Sequence, residues 1–178
     1  MDLYDALLTT RAMRRYTSEP VTEEQVWACL RAAVQAPSGG NIQPYQFLVA
    51  TDPAVKRRLG EIYLRAWNRY APAVQKITPV DRMDDKARAS WERGVKASDD
   101  LAQAMGEVPV LVLVLVPKMA MTVTDDEGEM DVGPVYASVY PAVQNFILAA
   151  RSQGLGTVLT TVYRIYEDEV REACAVPD

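Results

Sequence analysis

The sequence predicts an α+β (α/β layered) fold with a small central sheet covered by helices. A capping box, Thr22 to Gln25, opens an amphipathic helix. An uninterrupted run of Val and Leu over 110–116 is typical of a strand buried on both faces. Apolar residues recur at three- and four-residue spacing over 134–152, which predicts a long helix. Strands that alternate with helices favour a layered domain.

The N-terminal half is predicted to be mainly helical. A first helix is expected over residues 2–8, and the helix that Thr22 caps is expected to end near Gln35. A short strand is predicted over 46–51. It is followed by a predicted helix over 53–70, with Asp52 as its N-cap and Pro53 as its first residue. Pro72 is expected to interrupt the chain after this helix.

The C-terminal half carries the longer apolar patterns. We expect a polar, partly helical stretch over 82–105, a solvated acidic loop over 125–131, a second buried strand over 157–163 and a short helix over 166–173. The helix over 134–152 has apolar residues on more than one face, which suits a position between two subunits. Burial within one monomer is the alternative interpretation.

Length and composition limit the class of protein. The 178 residues, 49% apolar and 24% charged, suit one globular domain over 1–178. The net charge of −5 repels phosphate backbones, so nucleic acid is not an expected partner. The longest apolar run, 108–117, is too short to span a bilayer, and the start lacks a basic region before an apolar stretch. We therefore expect a cytoplasmic protein without a membrane partner.

The chain contains no histidine, which excludes Ser-His-Asp and Cys-His catalysis and histidine metal sites. Cys29 and Cys174 match no disulfide framework or zinc spacing, so we interpret them as structural and predict no metal site. If the protein is an enzyme, a cofactor is expected to supply its difficult chemistry.

A basic cluster follows the first helix. Arg11, Arg14 and Arg15 place three permanent positive charges within five positions of an acidic chain. Guanidinium groups bind phosphate in a bidentate manner, so the cluster could hold a cofactor phosphate. Considered alone, a solvated basic face paired with nearby carboxylates is the simpler interpretation.

The segment Pro37-Ser38-Gly39-Gly40-Asn41-Ile42-Gln43-Pro44 joins a predicted helix to a predicted strand. Its glycines let the backbone approach a ligand closely, and its two amide side chains each offer donors and an acceptor. That combination suits a ring edge with alternating C=O and N–H groups. A helix stop followed by a turn is the alternative.

Three segments in order carry a resemblance to a known family. They are R-A-M-R-R-Y-T at 11–17, A-P-S-G-G-N-I-Q-P-Y-Q-F at 36–47, and P-A-V-Q-N-F-I-L-A-A-R-S-Q-G-L-G-T at 141–157. Together they resemble the nitroreductase family of FMN-dependent enzymes. The resemblance spans almost the whole chain, with residues 65–107 the least diagnostic. It implies the nitroreductase-like FMN-binding fold, with the long helix at the interface of a homodimer.

The resemblance also implies a set of FMN-binding residues. The basic segment would contact the FMN phosphate and the ribityl chain or ring, the loop would lie along the FMN, often from the partner subunit, and the last stretch would turn its backbone to the ring. The residues are Arg11, Ala12, Arg14, Arg15, Pro37, Ser38, Gly39, Asn41, Gln43, Gly156, Leu159 and Thr160.

Two departures from the family pattern stand out. Ala12 occupies a position where the family often has Ser, so one hydroxyl contact to the cofactor is lost. Family members usually continue past the position of Asp178 into a further strand and a tail that wraps the other subunit. We expect that strand and tail to be missing from this sequence.

The resemblance implies a ping-pong oxidoreductase. A reduced nicotinamide, NADH or NADPH, would pass hydride to FMN, and an electron-poor small molecule such as a nitroaromatic or a quinone would then take its place. No side chain would act as catalytic acid or base. The alternatives are a reductive dehalogenase or dehydrogenase on the same fold, a flavin-binding protein, and a degenerate dimer without catalysis.

Overall fold

A computed structural model describes residues 1–118, 122–131 and 133–177. The chain divides into two compact units. The first consists of Met1–Arg11, Pro20–Val49 and Val112–Thr157, and the second of Ala12–Glu19, Ala50–Leu111 and the chain from Val158 onward. None of the described helices combines the length and the apolar character needed to cross a bilayer.

The first unit holds three helices. They are α1 (Leu3–Thr9), α2 (Glu23–Ala33) and α5 (Tyr136–Ser152). The predicted capping box is confirmed, because Thr22 Oγ1 accepts a hydrogen bond from the Gln25 N–H while Gln25 Oε1 accepts one from the Thr22 N–H. Helix α5 continues through Pro141 and ends where Gly154 adopts a φ of +81°.

The first unit also carries two small sheets, apart from the terminal strand residues Ala50 and Leu111, which are assigned to the second unit. Strand β1 (Gln46–Ala50) pairs with β2 (Leu111–Leu115), and β3 (Thr122–Asp125) forms an antiparallel hairpin with β4 (Gly128–Asp131). The prediction of a loop over 125–131 is therefore wrong. The segment is exposed as expected, but its backbone pairs on both sides of a turn at Asp126 and Glu127. Gly128, with a φ of +130°, begins the second strand. Strand β2 is half-buried rather than fully buried.

One apolar core holds this unit together. Residues of α5 pack against the segment between α2 and β1, with half-buried side chains from both strands of the first sheet around them. The buried members are Ala36, Tyr45, Val139, Ala142 and Val143. This packing fixes both ends of the loop over 37–44.

The second unit is built on helix α3 (Pro53–Ile77), which packs with α4 (Asp85–Ala104) and α6 (Glu167–Ala173). Asp52 caps α3 through bonds from two backbone N–H groups, as predicted. The expected interruption at Pro72 is wrong, because α3 runs through it to Ile77. Proline removes only one donor, and Ala71 continues the buried face.

The prediction of a strand over 157–163 is also wrong. Most of this segment is irregular, and a 3₁₀ turn begins at Val162. Val158, Val162 and Tyr163 pack individually against the core of the second unit. A run of apolar and β-branched residues indicates burial, but it does not indicate a neighbouring strand to pair with.

Helix α3 approaches a 3₁₀ turn, Met105–Glu107, unusually closely. A Cβ atom placed on Gly60 would lie 2.6 Å from the backbone nitrogen of Gly106. A side chain on either Gly60 or Gly106 would require a backbone shift, because the atoms that it would meet belong to the main chain. Gly60 lies on the buried face of α3, together with Leu59, Ile62 and Tyr63.

We predict that Gly60→Ala lowers the free energy of unfolding by about 1–3 kcal/mol, because the new methyl group overlaps the Gly106 backbone. Gly94→Ala in α4 is the matched control, since a Cβ there meets nothing within 4 Å. That substitution should raise the free energy of unfolding by about 0.5–1 kcal/mol through helix propensity. Urea unfolding measures both. Equal effects of the two substitutions would contradict the close approach.

Candidate functional site

The loop between α2 and β1, in the first unit, holds its backbone in an unusual conformation. Gly40, Asn41 and Gln43 have φ values of +57°, +55° and +49°. Asn adopts the left-handed region more readily than most residues, whereas Gln does so rarely. Strain of this kind clusters at ligand-binding sites, where neighbouring contacts maintain it.

Three hydrogen bonds that involve side chains hold the loop in this conformation. Ser38 Oγ accepts from the Gln43 N–H at 3.1 Å, and Ser138 Oγ on α5 accepts from the Gly39 N–H at 3.0 Å. The Gln43 side chain donates through Nε2 to the Val34 carbonyl at 3.3 Å. Ser38 thus closes the loop, and one donor of Gln43 anchors it to the end of α2.

A broad depression of about 680 Å³ lies over this loop. Asn41 and Gln43 are exposed there, and within the described chain the Asn41 carboxamide makes no hydrogen bond. Its donors and acceptor are therefore available to a ligand. The lining residues are Val34, Gln35, Ala36, Pro37, Asn41, Gln43 and Tyr45.

The three arginines of the basic cluster have different surroundings. Arg11, in the first unit, is exposed and donates through Nη1 to the Leu8 and Thr10 carbonyls at 2.9 and 2.7 Å. Arg15, in the second unit, pairs with Asp100 at 2.7 Å. Arg14, in the same unit, is half-buried and makes one long bond of 3.4 Å, to the carbonyl of the exposed Ala12.

The second unit brings Arg14, Leu159 and Thr160 to one small cleft of about 80 Å³. Ligand pockets are typically roughly 300–1,000 Å³, so this cleft alone can hold only part of a ligand. Its lining residues are Arg14, Tyr63, Trp67, Ser98, Leu101, Val158, Leu159 and Thr160. Gly156, the remaining residue of the predicted last stretch, is exposed and belongs to the first unit.

Two aromatic residues of this cleft were not predicted from the sequence. The Tyr63 hydroxyl lies 3.1 Å from Thr160 Oγ1, and Trp67 donates through Nε1 to Asp99 Oδ1 at 2.7 Å. Tyr63 and Trp67 are four residues apart on a predicted helix, so the sequence could have indicated that they share one face of it. Nothing in the sequence indicates that this face meets Thr160.

Burial raises the pKa of Tyr63 above its usual value, although the Thr160 hydrogen bond and the Arg14 charge oppose the shift. Since the unshifted value is already near 10, Tyr63 keeps its proton at neutral pH. Its hydroxyl can therefore donate a hydrogen bond to Thr160 Oγ1, the oxygen that lies 3.1 Å away.

The sequence model of the nitroreductase family matches residues 7–178. "NADH dehydrogenase" of Thermus thermophilus is 44% identical over 61 residues, 34% of this chain and 30% of that protein. "Iodotyrosine deiodinase 1" of Rattus norvegicus is 26% identical over 161 residues, 90% of this chain. The match covers 52% of the rat protein, so the chain spans about half the length of that relative.

Solved structures share the fold. A crystal structure of oxidized iodotyrosine deiodinase bound to FMN and 3-iodo-L-tyrosine superposes with a TM-score of 0.70. The match covers 99% of this chain and 83% of that one at 24% identity. The predicted mixed α+β fold of the nitroreductase type is therefore confirmed.

We predict that Gln43→Gly is more stable than Gln43→Ala by about 0.5–1 kcal/mol, the reverse of the order found in a helix. Both variants lose the bond to the Val34 carbonyl, so their difference isolates the cost of φ +49°. Urea unfolding of the two variants measures it. A more stable alanine variant would show that the backbone is not left-handed at this position.

Proposed function

Because this chain belongs to the nitroreductase family, we propose that it binds FMN and transfers hydride from NAD(P)H to an electron-poor acceptor such as a nitroaromatic or a quinone. The main observation in support of FMN binding is that Arg14, Leu159 and Thr160, which are distant in sequence, line one cleft of the second unit. The similarity to "NADH dehydrogenase" of Thermus thermophilus supports a reduced nicotinamide as the electron donor.

The side chains at the cleft fit an electron-rich group. The Arg14 guanidinium makes one long bond to the described residues, so most of its donors are available for a phosphate or an anionic ring edge. Thr160 adds a hydroxyl beside it, and Leu159, 49% exposed, offers an apolar surface against which a planar ring can pack. Arg15 is the weaker candidate, since Asp100 already neutralises it.

The loop of the first unit fits the polar edge of a ring. The Asn41 carboxamide offers donors and an acceptor, and Gln43 keeps its carbonyl oxygen available while Nε2 is bound to Val34. The glycines allow backbone N–H groups to come close to a ligand. In this proposal the ring-edge contacts come from Pro37, Ser38, Gly39, Asn41 and Gln43, and further contacts come from Arg11, Ala12 and Gly156.

We propose a homodimer as the active form. Tyr136 and Tyr140 share one face of α5, with ring centroids 6.2 Å apart, and Tyr140 is 51% exposed. Helix α1 leaves Leu3 and Leu8 more than 60% exposed. Such apolar faces favour association, and a second chain would enlarge a cleft of about 80 Å³ into a complete site.

Bound FMN supplies the two-electron chemistry, accepting and donating hydride, which protein side chains cannot do. This chain's own residues orient the reactants and stabilise charge. Arg14 and the Thr160 hydroxyl provide positive charge and a donor, both of which favour a reduced, electron-rich ring. In this proposal the nicotinamide and the acceptor bind in turn at the same face of the FMN ring. The Leu159 side chain excludes water from that face for both reactants.

Reductive dehalogenation is the second candidate function. The resemblance to "Iodotyrosine deiodinase 1" of Rattus norvegicus extends over 90% of this chain, which favours an iodinated phenol as an alternative acceptor. Iodide release from 3-iodo-L-tyrosine and reduction of a nitroaromatic, measured side by side with NADH and NADPH, distinguish the two. The proposed function is expected to give faster nitroaromatic reduction, and faster iodide release would favour the second candidate.

We predict that Arg14→Ala weakens FMN binding by roughly tenfold to a hundredfold, which corresponds to the loss of a charge-assisted contact. Arg31→Ala removes the same charge from an exposed position of α2 that lines neither the cleft nor the depression. It should leave the affinity within about twofold of the wild-type value, as expected for a surface substitution. Quenching of FMN fluorescence during titration measures both. Equal affinities in wild type and Arg14→Ala would remove Arg14 from the site.

We predict that Tyr140→Glu shifts the protein from dimer to monomer, because a charge would be buried in the proposed interface. Val123→Glu, at the exposed hairpin, adds the same charge and should leave the dimer intact. Light scattering coupled to size exclusion gives the mass of each. A wild-type mass equal to that of one chain would refute the dimer.

A further inference from the structure

Two tyrosines share the core beside the cleft, but their hydroxyls differ. Tyr63, on the buried face of α3, is 3% exposed and meets the Tyr163 ring edge-on at 4.9 Å between centroids. The Tyr63 hydroxyl reaches Thr160 Oγ1 at 3.1 Å. The buried Tyr163 hydroxyl has no hydrogen-bond partner in the part of the chain that the structure describes.

The direction of the bond between Tyr63 and Thr160 follows from the partners that each oxygen has. Over the described residues, Thr160 Oγ1 is the one partner of the Tyr63 hydroxyl. A buried O–H with a single acceptor nearby donates to that acceptor. The Val162 N–H also donates to Thr160 Oγ1, at 3.4 Å. Because the tyrosine is the donor in their shared bond, the proton of Thr160 is not used in it and is free to be donated.

The free proton of Thr160 lies at the cleft. Trp67, the other polar aromatic residue there, has its N–H committed to Asp99 at 2.7 Å. Arg14 is a donor in every protonation state it reaches in a protein. The cleft therefore presents the Arg14 guanidinium and the Thr160 hydroxyl as donors, and the matching ligand atom is a hydrogen-bond acceptor that carries no proton.

We propose that Tyr63 is a positioning residue that fixes the Thr160 hydroxyl as a hydrogen-bond donor toward an acceptor atom of the ring bound in the cleft. This inference rests on the proposed function, since FMN is the ring in question. Tyr63 itself does not touch the ring; it acts through Thr160. Without the tyrosine hydroxyl, Thr160 Oγ1 would have an open acceptor position and could rotate or accept from another donor.

Replacing Tyr63 by phenylalanine removes the hydroxyl and retains the ring that packs on Tyr163. Tyr163→Phe is the matched control, because it removes a buried hydroxyl from the same cluster without breaking a hydrogen bond to a described residue. Thr160→Val removes the threonine hydroxyl at nearly constant shape. The double variant Tyr63→Phe/Thr160→Val completes a double-mutant cycle.

The first measurement needs no FMN. Three-bond couplings to the Thr160 methyl group, in the full chain, report its χ1 rotamer. Wild type and Tyr163→Phe should show a single rotamer, whereas Tyr63→Phe should show rotamer averaging. Unchanged couplings in Tyr63→Phe would overturn the positioning role, whether or not the protein binds FMN.

The second measurement is the affinity for FMN and the reduction potential of the bound FMN. Tyr63→Phe should weaken binding about twofold to tenfold, the range for one neutral hydrogen bond. It should also move the potential in the same direction as Thr160→Val. Adding Tyr63→Phe to Thr160→Val should change neither quantity further, because the tyrosine acts through the threonine hydroxyl.

Additive effects in the double-mutant cycle would overturn the inference, since they would mean that Tyr63 affects FMN independently of Thr160. An equal effect of Tyr163→Phe would also overturn it, because the cause would then be general packing. A wild-type chain that fails to bind FMN would instead refute the proposed function, and the inference about the ring with it.

Discussion

The close approach of α3 to the turn after α4 is the constraint on which the second unit depends. Gly60 and Gly106 allow the backbone of α3 to contact the backbone of the turn directly. Lys56 on α3 adds two hydrogen bonds, because its Nζ donates to the Val108 and Pro109 carbonyls at 2.9 and 3.0 Å. This packing buries the face of α3 that carries Tyr63. Tyr63 lines the cleft from this face, and its hydroxyl lies 3.1 Å from Thr160 Oγ1.

The chain contains no histidine, the most common general base at neutral pH. Two neighbouring arginines of the second unit have different surroundings. Arg15 is bound to Asp100, and the hydrogen bonds from Arg15 and Lys96 hold the pKa of that carboxyl below its usual value. Arg14 remains largely unengaged within the described residues and faces the cleft. Positioning and electrostatics, rather than acid–base catalysis, suit a cofactor that carries the chemistry.

Features with a local physical cause could be predicted from the sequence. The caps at Thr22 and Asp52 were correct, because each needs only a side chain and the next turn of the same helix. The strand over 157–163 and the break at Pro72 were wrong, because strand pairing and tolerance of proline depend on distant packing partners. The sequence could name Arg14 and Thr160 through family resemblance, but the bond from Tyr63 is a long-range contact that no spacing encodes.

The anaerobic absorbance spectrum of the FMN-loaded protein tests whether this chain passes hydride through FMN. NADH or NADPH is expected to bleach the flavin band, and a nitroaromatic or a quinone, added afterwards, is expected to restore it. A protein that binds no FMN, or a yellow protein whose spectrum is unaffected by both nicotinamides, would contradict the proposed function.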